Sequence, residues 1–222
     1  MIPLKDNIPS RSYPIVNVLL IAINLAVFFF QLSLGRNVDS YIFTYGVIPA
    51  HLVAEGFTSE QLVRLTTAMF LHGGWFHALS NMLYLWIFGD NVEDRMGHLK
   101  YLVFYLLTGY IATIAHVLYA PFSELPLIGA SGAIAGVLGA YLILYPRAKV
   151  LTLVFVFIFI QIIPIPAVVF LGFWFILQLL NGTASLSAQA AQGVAFWAHI
   201  GGFIAGMLLV KIFSRRQYYP RT

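Results

Sequence analysis

Gly129-Ala130-Ser131-Gly132-Ala133-Ile134-Ala135-Gly136-Val137-Leu138-Gly139-Ala140-Tyr141-Leu142-Ile143-Leu144-Tyr145 contains no charged residue and ends at the basic turn Pro146-Arg147-Ala148-Lys149. A helix that is apolar all round has no water-facing side, so it belongs inside a large core or a membrane. Gly132, Gly136 and Ala140 recur every four residues, and small residues at that spacing let helix backbones approach closely in lipid. From Ser131 to Tyr145 is about 14 steps, roughly 21 Å of helix. A hydrocarbon core is ~30 Å thick. With the basic turn at one membrane face, Ser131 lies about 9 Å below the other, by the same two lengths. The stretch therefore carries a hydroxyl to a depth where polar groups are costly.

The rest of the chain agrees with a membrane setting. Of 222 residues, 60% are hydrophobic and 9% charged, against roughly 25% charged in soluble domains. That excludes a water-soluble globular domain and leaves a polytopic membrane protein. The 18 Gly and 10 Pro show no collagen period, and the chain is too apolar for disorder. With no Cys, disulfides, cysteine nucleophiles and Cys-ligated zinc or iron–sulfur clusters are excluded. The net charge of +4 comes from few, scattered basic residues. These read as topology signals, not as a nucleic-acid surface.

Apolar runs predict six crossings at about 15–34, 67–89, 99–119, 131–145, 166–180 and 195–213. Asn17, Asn24 and Gln31 recur every seven residues in the first run, on one helical face. Residues 35–68 are read as the longest loop, and 90–98 as a charged turn. Residues 150–180 are too long for one simple crossing and are broken by Pro164 and Pro166. Their β-branched and aromatic first part reads as interfacial or loosely structured, with the fifth crossing beginning near Pro164–Ala167; one long kinked helix is the alternative. Six crossings put Lys5, Arg11, Arg95, Lys100, Arg147, Lys149, Lys211, Arg215, Arg216 and Arg221 on one side, and Arg36 and Arg64 on the other. That bias predicts both termini in the cytoplasm. The expected architecture is an all-α six-helix membrane bundle forming one domain over 1–222, with a basic tail at 214–222 and a nucleophile at the start of a short fourth helix.

Three polar clusters interrupt the apolar runs: His72-Gly73-Gly74-Trp75-Phe76-His77-Ala78-Leu79-Ser80-Asn81, Gly129-Ala130-Ser131-Gly132-Ala133 and Ala198-His199-Ile200-Gly201-Gly202. His199 lies about 14 steps before Phe213, roughly 21 Å, the same depth as Ser131. His77 lies about 12 residues before Gly89, roughly 18 Å from the same face. The small faces of the fourth and sixth runs (Gly202 and Gly206 in the latter) bring Ser131 and His199 within reach of each other. Serine needs a base to become a nucleophile, and imidazole is the usual one. Donors for a developing oxyanion would be the Ser131 backbone N–H, His77 and the Asn81 amide, the last two sharing a face at i, i+4. No Asp lies at this depth, so a dyad is expected. His72 reads as a structural or supporting donor.

The chain resembles the rhomboid intramembrane serine proteases of the six-span bacterial type. The likeness rests on His72, His77 and Asn81 at their spacing, on Glu93 and Gly97, on Gly129-Ala130-Ser131-Gly132, and on Ala198-His199 followed by Gly202 and Gly206. Together and in order these motifs are specific; singly each is weak. The resemblance implies Ser131 as nucleophile, His199 as base, and His77 and Asn81 as oxyanion support, with Gly129 and His72 beside them. It implies transmembrane-protein substrates, water in a cavity within the bilayer, no cofactor or metal, and the plasma (inner) membrane of a bacterial-type cell. Two departures stand out. Val63-Arg64 replaces the family's frequent Trp-Arg, and Ala135 stands where some members stack an aromatic on the histidine.

Three other functions fit the sequence less well. A metal enzyme using His72, His77 and His199 would have no carboxylate ligand at that depth and no role for the serine. A non-catalytic relative that binds client helices would be expected to lose Ser131 or His199. A transporter would show paired broken helices.

Overall fold

Residues 1–156, 159–187 and 195–214 are described by the structure, a computed structural model. Strand β1 (Ile2–Asp6) leads into α1 (Ile15–Ser33), followed by three short helices, α2 (Val38–Tyr45), α3 (Pro49–Glu55) and α4 (Ser59–Thr67). Then come α5 (Trp75–Met96), α6 (His98–Tyr119), α7 (Ser131–Leu144), strands β2 (Lys149–Val156) and β3 (Phe159–Pro166), α8 (Ala167–Ser187) and α9 (Phe196–Phe213). Four of these helices, α1, α6, α8 and α9, are long and apolar enough to cross a membrane. The apolar α7 is shorter, at 14 residues. It needs no lipid contact along most of its length, because every residue from Gly132 to Tyr141 is buried by its neighbours.

The six longer helices run alternately between the two ends of a bundle. At the β-sheet end, the Glu93 carboxylate of α5 accepts from the backbone N–H groups of Val16 (3.0 Å) and Asn17 (2.7 Å). An anion thus caps the otherwise unpaired amides that begin α1. At the opposite end, the Gln31 side chain of α1 accepts from the His72 backbone N–H (3.0 Å) and donates to its carbonyl (3.1 Å). Asn17, Asn24 and Gln31 are all buried, as the seven-residue spacing requires. The Asn17 amide fits between Leu85 O, to which it donates, and the Tyr101 hydroxyl, from which it accepts.

Helix α7 is held tightly by α6 and α9. A Cβ on Gly202 would sit 2.1 Å from the Gly132 carbonyl oxygen, and one on Gly206 would sit 1.9 Å from that of Gly136. Only hydrogen at these positions allows the two backbones their contact.

Four stretches differ from expectation. The bundle is not wholly helical: β2 and β3 pair antiparallel, and β2 also pairs antiparallel with β1, giving sheet order β1-β2-β3. Val150, Val154, Ile160, Ile162 and Ile163 favour a pleated strand over a helix at χ1. The strand pair leaves and returns at one place, since Ala167 N donates to Ala148 O and Val168 N to Pro146 O. Helix α5 starts at Trp75, after the turn at 71–74, and continues through Asp90 to Met96. The charged segment therefore stays helical, because buried Glu93 and Asn91 find partners on α1 and β1. The 35–68 loop is largely α2, α3 and α4, the last capped by the Thr58 hydroxyl accepting from Gln61 N–H. Helix α8 extends to Ser187, past residue 180 where the fifth crossing was expected to end. Arg215, Arg216 and Arg221 of the expected basic tail lie outside the described residues.

Candidate active site

Ser131 is the first residue of α7. Its backbone N–H belongs to the first turn, where amides have no acceptor within the helix. The loop before it is fixed by Gly129 N donating to Ala68 O (2.8 Å), and by a bridge between Leu127 and Val47. Gly129 has φ +121°, a conformation that side-chain-bearing residues rarely adopt. A Cβ there would also lie 2.7 Å from His77 Nε2. The glycine thus lets the imidazole edge lie against the peptide that leads into Ser131.

His199, one turn before Phe203 and two before Gly206 on α9, turns Nε2 to Ser131 Oγ at 2.8 Å. Its Nδ1 lies 2.8 Å from Oε1 of Gln178 on α8. An amide oxygen only accepts, so Nδ1 carries the proton and Nε2 presents its lone pair to the serine hydroxyl. The Gln178 amide is oriented independently, because its Nε2 donates to Trp174 O (3.4 Å), an oxygen that can only accept. Trp174 also packs its ring beside the imidazole, 6.0 Å between centroids and 35° between planes. The aromatic companion of the histidine, missing at Ala135, is supplied by a different helix.

His77 and Asn81 reach different neighbours. His77 Nδ1 accepts from Gly73 N–H at 3.4 Å, which leaves its proton on Nε2, the nitrogen that faces Gly129. Asn81 is buried and its amide lies 3.0 Å from His72 Nε2. His72 is itself buried, with its backbone clamped by Gln31. The structure thus brings Ser131, His199, His77 and Gly129 to one place, while His72 and Asn81 form a supporting pair behind His77, their rings and amide in contact through the His72–His77 edge (5.1 Å between centroids). Among the described residues, no three His, Asp or Glu side chains gather as metal ligands. Sequence reasoning missed Gln178 and Trp174. The signal was present: Gln178 is a lone amide in an otherwise apolar run, one helical turn after the Trp.

Residues 59–216 match the Rhomboid domain family. This chain belongs to the rhomboid family. It is 31% identical over 198 residues to "Rhomboid protease GluP" of Bacillus subtilis, covering 89% of this chain and 34% of that protein. It is 29% identical over 201 residues to "Rhomboid protein 1, mitochondrial" of Saccharomyces cerevisiae, covering 85% of this chain and 50% of that protein. Another rhomboid chain of Bacillus subtilis, YdcA, is 25% identical over 206 residues, 93% of this chain and 94% of its own. The chain thus spans between a third and a half of the first two relatives. As a rhomboid with several membrane-length apolar helices, it is a multi-pass membrane protein.

Proposed function

We propose that this rhomboid is an intramembrane serine protease that cleaves peptide bonds in or near the transmembrane helices of other membrane proteins. The observation that carries the proposal is the 2.8 Å contact between Ser131 Oγ and His199 Nε2 at the start of a buried helix. In the reaction, His199 Nε2 takes the Ser131 proton as Oγ attacks the scissile carbonyl. The oxyanion so formed is held by the Ser131 backbone N–H and by His77 Nε2–H. The imidazolium then gives its proton to the leaving amine. Water attacks the acyl-enzyme, His199 accepts its proton, and Ser131 is restored. Asn81 and His72 hold His77 and its loop in position. Six crossings, both termini in the cytoplasm and a bacterial-type plasma membrane complete the proposal; the mitochondrial name of one relative makes the compartment a point for direct localisation.

The test is covalent labelling by a fluorophosphonate, together with cleavage of a model transmembrane substrate. Ser131→Ala is expected to lose both, and His199→Ala to lose cleavage, with each variant still folded. Because nucleophile and base act as a unit, the double variant is expected to be little worse than either single one. Cleavage by purified Ser131→Ala at the native rate would overturn the mechanism; a native protein that bound the substrate but neither cleaved it nor took the label would leave a helix-binding role.

A further inference from the structure

We propose that Gln178 is a positioning residue for this reaction: its side-chain oxygen holds the His199 proton on Nδ1 and so keeps Nε2 free to act as the base toward Ser131. The role rests on the proposed protease function, and it adds a third member, on a third helix, to what the sequence presents as a dyad.

The geometry leaves Gln178 little other purpose. It is buried, in a helix whose other residues from Ala167 to Leu180 are apolar or glycine. A buried amide in an apolar setting costs free energy unless its hydrogen bonds are made. Both ends of this one are used: Nε2 on Trp174 O, one turn back, and Oε1 on His199 Nδ1. The first contact decides the second, because it turns the oxygen and not the nitrogen toward the imidazole. With the nitrogen there instead, the histidine would place its proton on Nε2, where it could not accept from Ser131. The backbone carbonyl of Trp174 and the ring of the same residue thus act on one imidazole, the carbonyl through the amide and the ring by packing. During turnover Nε2 gains and loses the serine proton while Nδ1 keeps its own and donates it in a hydrogen bond to Gln178 Oε1. A neutral acceptor fixes the tautomer without adding a buried charge, which at this depth would be expensive.

The experiment compares Gln178→Met, which keeps length and drops the acceptor, with Gln178→Glu, which keeps an acceptor oxygen. Gln178→Leu serves as a second apolar variant where Met repacks. Cleavage in detergent is expected to show kcat falling on the order of tenfold in the Met and Leu variants, about the worth of one neutral hydrogen bond. KM is expected to stay unchanged, since the group touches base and not substrate. The Glu variant, which keeps an acceptor on Nδ1 but loses the Trp174 bond, is expected to keep more of kcat than the Met and Leu variants. In parallel, ¹⁵N NMR of histidine-labelled protein, with His199 assigned by its disappearance in His199→Ala, reads the tautomer directly. The native protein is expected to show a protonated Nδ1 and a bare Nε2, and the Met variant a mixture. Equal kcat in all variants, equal loss in Met and Glu, or an unchanged tautomer in Met would overturn the positioning role while leaving fluorophosphonate labelling of Ser131 intact. A native protein that neither takes the label on Ser131 nor cleaves the substrate would instead overturn the protease function itself, and this role with it.

Discussion

A single methyl group separates Gly129 from an unusable residue. At φ +121° an added Cβ is strained, and it would stand 2.7 Å from His77 Nε2. Gly129→Ala is therefore expected to displace either the imidazole or the loop and to lower kcat by about 10²-fold or more, the usual cost of losing one oxyanion donor. His77→Ala should fall in the same range of about 10²–10³ with substrate binding retained. Steady-state kinetics on folded protein checks both; a loss confined to KM would remove the oxyanion role. Asn81 stands one contact further back, bonded to His72, so Asn81→Ala acts through the ring it holds.

At the scale of elements, two joints hold the site. One is the contact of α7 with α9, where Gly206 leaves 1.9 Å between a hypothetical Cβ and Gly136 O. Gly206→Val is expected to force the helices apart, lengthen the Ser131–His199 contact and abolish cleavage. Loss of fluorophosphonate labelling, with the helical signal retained, checks this. The other joint is the Glu93 cap on α1. Glu93→Ala leaves two amides without their anion and is expected to cost about 2–3 kcal/mol of stability, measured as a fall in the thermal midpoint in detergent. The strand pair β2–β3 marks where local pattern and placement separate. Its β-branched residues and the prolines at 164 and 166 announce that the helix cannot continue. They do not announce a partner, and the partner is β1, some 145 residues earlier in the chain.

Across the whole molecule, the two ends of the bundle have different chemistry. At the sheet end, Asp6 receives the Tyr141 hydroxyl and the Asn91 amide. Burial raises its carboxyl from the usual 3.8 to about 6; the Tyr141 bond opposes the rise and the nearby Asp90 charge adds to it. The folded state then binds this proton more tightly than the unfolded chain does. The contribution is complete below about pH 4 and is lost as pH rises through about 6. Asp6→Asn keeps the acceptor oxygen and removes this titration, so its thermal midpoint is expected to decline less between about pH 4 and pH 7 than the native protein's. A native midpoint that rose over that interval would reverse the sign. At the other end, Ser131 begins its helix among Ala130, Gly132 and Ala133, all small. A substrate helix keeps its peptide bonds in internal hydrogen bonds, so a segment has to unwind before a carbonyl reaches Ser131. Substrates with Gly or Pro near the cut, which form helix poorly, and with a small residue just before it, matching the small residues around Ser131, are expected to be cleaved faster than a uniform Leu helix. Cleavage mapped by mass spectrometry to the half of the substrate nearer the sheet end would contradict this.

The sequence by itself determined the membrane setting, the order of apolar runs, the buried polar face of α1 and the small-residue seams of α7 and α9. Each of these is periodic or compositional, so neighbours along the chain suffice to reveal it. Ser131 and His199 were legible as a pair because helix rise converts residue counts into depth, and depth is a one-dimensional quantity. What lies around the axis at a given depth is not. Which ring packs beside His199, which oxygen meets its Nδ1, why Asn81 turns to His72, and how Glu93 comes to cap a helix some 75 residues upstream depend on helix rotation and neighbour order. Those are fixed only when all the helices pack at once, so the tertiary structure alone decided them.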